Sequence, residues 1–144
     1  MNDPVVPTPT ASGVRPLWLW GPVACYMALI FALSSMSAPP SPMPSSDKVE
    51  HFVAYGGLGA LALRATTGGT LAGLSRGAAA AAWGIAAVYG ITDEYHQSFV
   101  PERSSDAADA LADAAGAATS VLGFLAFGII ARSRRPTGAS PRRR

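Results

Sequence analysis

Charge is what this chain has least of. Only 14% of its 144 residues are charged, against about a quarter in an ordinary soluble domain, while 49% are hydrophobic. The length allows one domain. Cysteine is nearly absent too: the lone Cys25 excludes an internal disulfide and any Cys-based zinc site. Because it falls inside an apolar run, it reads as a small buried hydrophobe rather than a nucleophile. Also missing are a phosphate-binding glycine loop, a thiol site and a Ser-centred nucleophile motif. The glycines of "GGLG" (56–59) fall within a helical pattern and read as packing.

What the chain does have is apolar length. "LWLWGPVACYMALIFALSS" (17–35) runs 19 residues without a charge. At 1.5 Å per residue it reaches about 28 Å, close to the hydrocarbon thickness of a bilayer. Trp18 and Trp20 near its start suit an interfacial belt. A cleaved signal peptide is the competing reading, but the apolar region is too long for one and only Arg15 precedes it. Four prolines in "MSAPPSPMPSS" make the next segment a loop. Three further apolar or alanine-rich runs follow. The expectation is an all-α integral membrane bundle of four transmembrane helices, approximately 17–35, 48–65, 77–95 and 106–131, with a polar extracytoplasmic cap. Residues 1–16 form a disordered cytoplasmic N-terminus, 17–131 the membrane domain and 132–144 a basic cytoplasmic tail. Ala112, Gly116 and Ser120 make a small-residue series suited to close helix contact in lipid.

The signs of the charges set the orientation. Nine of the 11 basic residues lie in the N-terminus, the 2–3 connection or the C-terminus, which share one side of a four-helix protein. Lys48 and Arg103 alone lie on the other. The positive-inside rule then places both termini in the cytoplasm of a multi-pass plasma-membrane protein. Six arginines in the tail are a topology signal with some attraction for anionic lipid, not a nucleic-acid site. Eight of the nine acids fall at the outer face, six of them in "TDEYHQSFVPERSSDAADALAD" (92–113).

Some of this acidity has a bland cause, since helix N-termini favour carboxylates. "DKVE" reads as Asp47 capping helix 2 with Glu50 three residues on, and "DAAD" repeats the device with Asp106 and Asp109. Capping does not explain Asp93 and Glu94 near the C-terminal end of helix 3, Asp113 two turns into helix 4, or His51 one turn into helix 2. An ionisable group inside a membrane segment costs roughly 2.5–3.5 kcal/mol or more and turns toward the bundle interior or a wet cavity. At 100° per residue, Asp106, Asp109 and Asp113 share a face, as do Asp47, His51 and Tyr55, and Tyr89, Asp93 and His96. These stripes are expected to meet in a buried acidic–histidine–arginine network that includes Arg103.

The blocks "DKVEHFVAYGGLGAL" and "TDEYHQSFVPERSSDAADALADAAGA" resemble the VanZ-like membrane proteins. The shared pattern is Asp-Lys-x-x-His-Phe-x-x-Tyr, then Asp-Glu-x-x-Gln (Asp93, Glu94, Gln97), a Pro-x-Arg turn and an Asp-led fourth helix. The resemblance spans roughly residues 17–130. Two positions depart from it: Glu102 stands where the family usually has Gly, and Asp113 where it usually has Asn. The family's name-giving member is associated with low-level resistance to the glycopeptide teicoplanin, which acts on the cell-wall precursor outside the membrane.

Three functions compete. In the first, a bacterial membrane protein without cofactor uses an outward polar site to bind a lipid-linked envelope precursor or an anionic head group, with Arg103 as the planar partner. In the second, a metal-dependent enzyme acts on a phospholipid or isoprenoid phosphate, with Asp106, Asp109 and Asp113, together with Asp93 or Glu94, as candidate Mg²⁺ or Ca²⁺ ligands and His51 or His96 as general base. In the third, the network only locks the helices together.

Overall fold

Each of the four apolar or alanine-rich runs is a helix: α1 Pro16–Ser34, α2 Asp47–Thr66, α3 Arg76–Gln97 and α4 Ala107–Ser133. The computed structural model describes residues 16–37 and 47–134. The N-terminal lead, most of the proline-rich connection and the tail beyond Arg134 lie outside the described residues. No strand occurs among the described residues.

Local chemistry fixes the helix ends. Ser75 caps α3 by accepting from the Ala78 N–H at 3.1 Å, and Asp106 caps α4 by accepting from Ala108 at 2.9 Å. Asp47 opens α2 with Glu50 in its first turn. Pro22 inside α1 has no N–H to give the Trp18 carbonyl four residues back. The Arg64 guanidinium donates to that carbonyl instead, at 2.9 Å, tying the start of α1 to the end of α2. At the same end of the bundle, Arg132 of α4 donates to the carbonyls of Leu71 and Leu74 in the α2–α3 connection.

α2 is the central helix, touching α1, α3 and α4, while α1 lies at the rim. Only Val23, Ile30 and Ser34 of α1 are buried. That rim position corrects the expectation for Cys25, which is exposed on the outer face of α1. The apolar core is modest: Val23, Ile30, Tyr55, Leu58, Ala65, Ala86 and Ala117 form one cluster, and Ala62, Leu63, Leu74, Ala79, Ala82 and Val121 another.

The distribution of polarity is inverted relative to a water-soluble protein. Asp93, Glu94, Gln97, Asp109, Asp113 and His51 are buried, whereas Trp18, Leu29, Val88, Ile91, Leu111, Leu122, Phe127 and Ile129 are exposed. Such an exterior is compatible with a lipid bilayer. By length and composition, however, two helices, α1 and α4, are apolar enough to cross a membrane, not four. α2 and α3 fall short because they carry both the buried His51, Asp93, Glu94 and Gln97 and the exposed end charges Asp47, Lys48, Arg64 and Arg76, all of which lower their average hydropathy.

Close approach of α2 and α4 depends on small residues. A Cβ on Gly116 would overlap the Phe52 carbonyl oxygen, and one on Gly59 would lie 2.9 Å from the Ala117 Cα. Gly116 and Ser120 of the small-residue series thus lie along the α2 contact, with Ser120 Oγ itself 2.8 Å from the Cβ position of Gly59. Gly123, on the same helix, has open space around it. Gly116→Ala should therefore cost about 1–3 kcal/mol by overpacking, and Gly123→Ala should gain about 0.5–1 kcal/mol of helix propensity. Thermal unfolding of the two variants in detergent checks this, with opposite shifts expected.

Candidate functional site

The C-terminal ends of α1 and α3 meet the N-terminal ends of α2 and α4, and the polar residues gather there. Lys48 Nζ, half exposed at the start of α2, bridges Asp106 at 2.9 Å and Asp109 at 2.8 Å across to α4. One turn deeper, His51 Nδ1 lies 2.9 Å from Asp113 Oδ1 and 3.9 Å from Glu94 Oε1, so α2, α4 and α3 converge on one imidazole. Asp47 Oδ1 is 3.9 Å from the other ring nitrogen. Tyr55 lies next along the same face of α2, its ring parallel to that of His51 with centroids 6.5 Å apart.

Every fixed position has an identifiable cause. Asp113 can reach inward because residue 90 of α3 is glycine: a Cβ there would come within 2.8 Å of Asp113 Oδ2. Glu94 is anchored by the Asp106 N–H, which donates to Oε2 at 2.9 Å and so joins the end of α3 to the cap of α4. Asp93 accepts from Ser34 Oγ at 2.6 Å and from Gln97 Nε2 at 3.1 Å, linking α3 to α1. Four enclosed side-chain atoms find no hydrogen-bond partner among the described residues: Tyr55 Oη, Glu94 Oε1, Arg103 Nε and Asp113 Oδ2.

Two residues sit apart from this network. His96 faces the end of α1, its ring stacked on Phe31 at 4.4 Å and its Nε2 3.0 Å from Ser35 Oγ. Arg103 makes no side-chain hydrogen bond or ion pair with any described residue; the cation that holds the acids is Lys48. Sequence spacing missed Ser34 and Ser35 as partners because they end an apolar run and carry no charge. A polar pair closing an otherwise apolar span was the one available signal.

Arg103 follows a strained residue. Glu102 has φ +65°, the one non-glycine residue with positive φ among the described residues. A side chain in that region costs about 1–2 kcal/mol, which explains why glycine suits the position. The half-buried Arg103 then lines a cavity of about 260 Å³ between α1, α2 and α3. Asp47, Glu50, His51, Asp93 and Gln97 form its polar wall, and Tyr26, Ile30, Leu33, Val53 and Ala54 its apolar one.

Of the groups that could hold a cation, His51, Glu94 and Asp113 bring one ligand atom each within 4.8 Å of one another, and so do Asp47, His51 and Asp109. Asp106 belongs to neither; its oxygens accept from Lys48 and from the Ala108 N–H. The three α4 carboxylates share a helix face but do not form one ligand set.

A four-helix bundle with polar residues inside and apolar ones outside is the class that this fold defines. The family model described as VanZ/LLP1 matches residues 19–130. The chain belongs to that VanZ-like family. No curated protein and no solved structure matches it.

The Lys48–Asp106 contact has a definite pH dependence. Hydrogen bonds from Lys48 and from the Ala108 N–H hold the Asp106 carboxyl below its ordinary value. A group whose folded pKa is depressed contributes stability above the unfolded value, about 3.9 for Asp, and loses it as pH falls through the lower folded value. The melting-temperature gap between wild type and Asp106→Asn should thus be widest near neutral pH and close on acidification. A gap that does not close on acidification would show that the Asp106 charge contributes nothing through Lys48.

Proposed function

We propose that the chain spans a bacterial plasma membrane four times, with both termini cytoplasmic, and binds the polar head of an envelope lipid or lipid-linked precursor in the cavity beside Arg103. The observation that carries the reading is Arg103 itself: a half-buried guanidinium, its Nε enclosed and without a partner, on the wall of a cavity that is polar on one side and apolar on the other. An uncommitted planar donor suits a phosphate or carboxylate. The neighbouring carboxylate Asp47 accepts hydrogen bonds, so the head group that fits best also carries hydroxyl, amide or ammonium donors. Leu33 and Val53 are exposed as well as lining the cavity, which supports lateral entry of an acyl or isoprenoid chain from the bilayer.

Four spans are supported by the outward faces of the two more polar helices. Val49, Phe52 and Val53 of α2 and Trp83, Val88 and Ile91 of α3 are exposed, while the acids on α3 turn inward. The segregation of arginines supports the orientation, and an outward site is where a glycopeptide's target would be met.

Titration of phosphatidylglycerol and of a short-chain isoprenoid diphosphate into the purified protein in detergent tests the site. Loss of a charge-assisted hydrogen bond is worth about 1.5–3 kcal/mol, so Arg103→Ala should weaken binding roughly 10–100-fold, and Arg103→Lys should recover part of it. Binding unchanged by Arg103→Ala would remove the reading. In cells, a deletion strain should shift in teicoplanin susceptibility and be restored by wild type but not by Arg103→Ala.

Orientation has its own check. In a Cys25→Ala background, a Ser104→Cys variant should react with an impermeant thiol reagent from outside. Reaction only after permeabilisation would reverse the topology.

A further inference from the structure

We propose that His51, Glu94 and Asp113 form a binding site for one divalent transition-metal ion of the zinc type, held through an imidazole nitrogen and carboxylate oxygens from three helices. All three residues are buried, with 8%, 5% and 0% of their surface exposed. Their ligand atoms lie within 4.8 Å of one another. The nitrogen–oxygen separations of 2.9 Å to Asp113 and 3.9 Å to Glu94 bracket the spacing of two ligands on one tetrahedral zinc, about 3.4 Å for bonds near 2.1 Å.

Geometry alone would describe any acidic cluster. The second observation is that Glu94 Oε1 and Asp113 Oδ2 are enclosed and without a hydrogen-bond donor. Glu94 is the more telling of the two. Its Oε2 is fixed by the Asp106 N–H at 2.9 Å, which leaves Oε1 toward the imidazole at a distance too long for a hydrogen bond. Two buried carboxylates share one histidine, so with both ionised even a protonated imidazole leaves negative charge uncompensated. A dication neutralises both and gives the lone oxygen a partner.

The donor set selects the ion class. Imidazole with carboxylate suits zinc and its neighbours, whereas magnesium and calcium favour oxygen alone. The surroundings match a metal site in a further respect: the Asp106 N–H orients one ligand by donating to Glu94 Oε2 at 2.9 Å. Asp47, His51 and Asp109 make a poorer site, because Asp109 is already engaged by Lys48 and Asp47 is exposed. The inference does not rest on the head-group reading. Glu94 and Asp113 do not line the cavity beside Arg103, and His51 is the one residue common to both.

The test is a titration of the chelator-stripped full-length protein in detergent with Zn²⁺ by calorimetry, and with Co²⁺ by visible absorption. One saturable equivalent should bind and raise the melting temperature. Glu94→Gln and Asp113→Asn should each weaken binding at least tenfold, and His96→Ala should bind as wild type does. Absence of saturable uptake by the wild-type protein overturns the proposal without reference to any variant. Uptake unaltered by Glu94→Gln overturns it as well.

Discussion

The contact on which this bundle turns is that of one imidazole with carboxylates from two other helices. His51 of α2 meets Asp113 of α4 at 2.9 Å and Glu94 of α3 at 3.9 Å, all three buried. Because α2 touches every other helix, a polar node on it fixes the rotation of α3 and α4 at once. Apolar side chains set no such register in lipid, where the surrounding tails are as apolar as the helix faces. Polar groups do, because each must find a partner inside. Lys48 with Asp106 and Asp109, and Ser34 with Asp93, extend the same logic toward the helix ends.

A polar interior requires thin walls around it, and the small residues supply them. Gly116 lets the α2 backbone approach α4 at Phe52, and Gly90 leaves room for the Asp113 side chain against α3. The alanine content that makes α3 look weakly apolar has the same purpose. Ala79, Ala82 and Ala86 are buried at the contact, and larger side chains would separate the helices and widen the gaps between the polar groups. Packing and electrostatics are therefore not independent here. A methyl group added at Gly90 would disturb Asp113 and, through it, the position of His51.

Helix positions were legible because long apolar or alanine-rich runs, broken by proline or glycine, permit little else. Which residues share a face was legible as well, since a 3.6-residue period is a property of one chain segment. Which helix each face addresses was not. Periodicity grouped Asp93 with His96, but the first turns to Ser34 and the second to Ser35 and Phe31, at the C-terminal end of α1. It also grouped the three α4 acids, which the structure divides among Lys48, His51 and a helix cap. Cys25 read as buried because apolar runs usually are; on a rim helix most of the run faces out. Arg103 was assigned to the acids by sign alone, although Lys48 reaches them first. The left-handed Glu102 was legible only as a departure from the family's usual glycine.

That departure bears on how Arg103 is held. A residue in the left-handed region costs about 1–2 kcal/mol, and the Arg103 N–H closes the turn by donating to the Val100 carbonyl at 3.2 Å. Strain of this kind persists only where its surroundings over-determine it. The anchors on either side are the end of α3, fixed by Asp93 and Gln97, and the start of α4, fixed by Lys48 and by Asp106 through Glu94. The loop therefore has two rigid ends and little choice of path. Its arginine is carried to the cavity wall by the acids of the network without being paired to them. A guanidinium neutralised by those acids would have no attraction left for a ligand. One delivered by them and left uncommitted keeps its donors available, which is the arrangement an anion site beside an acidic network needs.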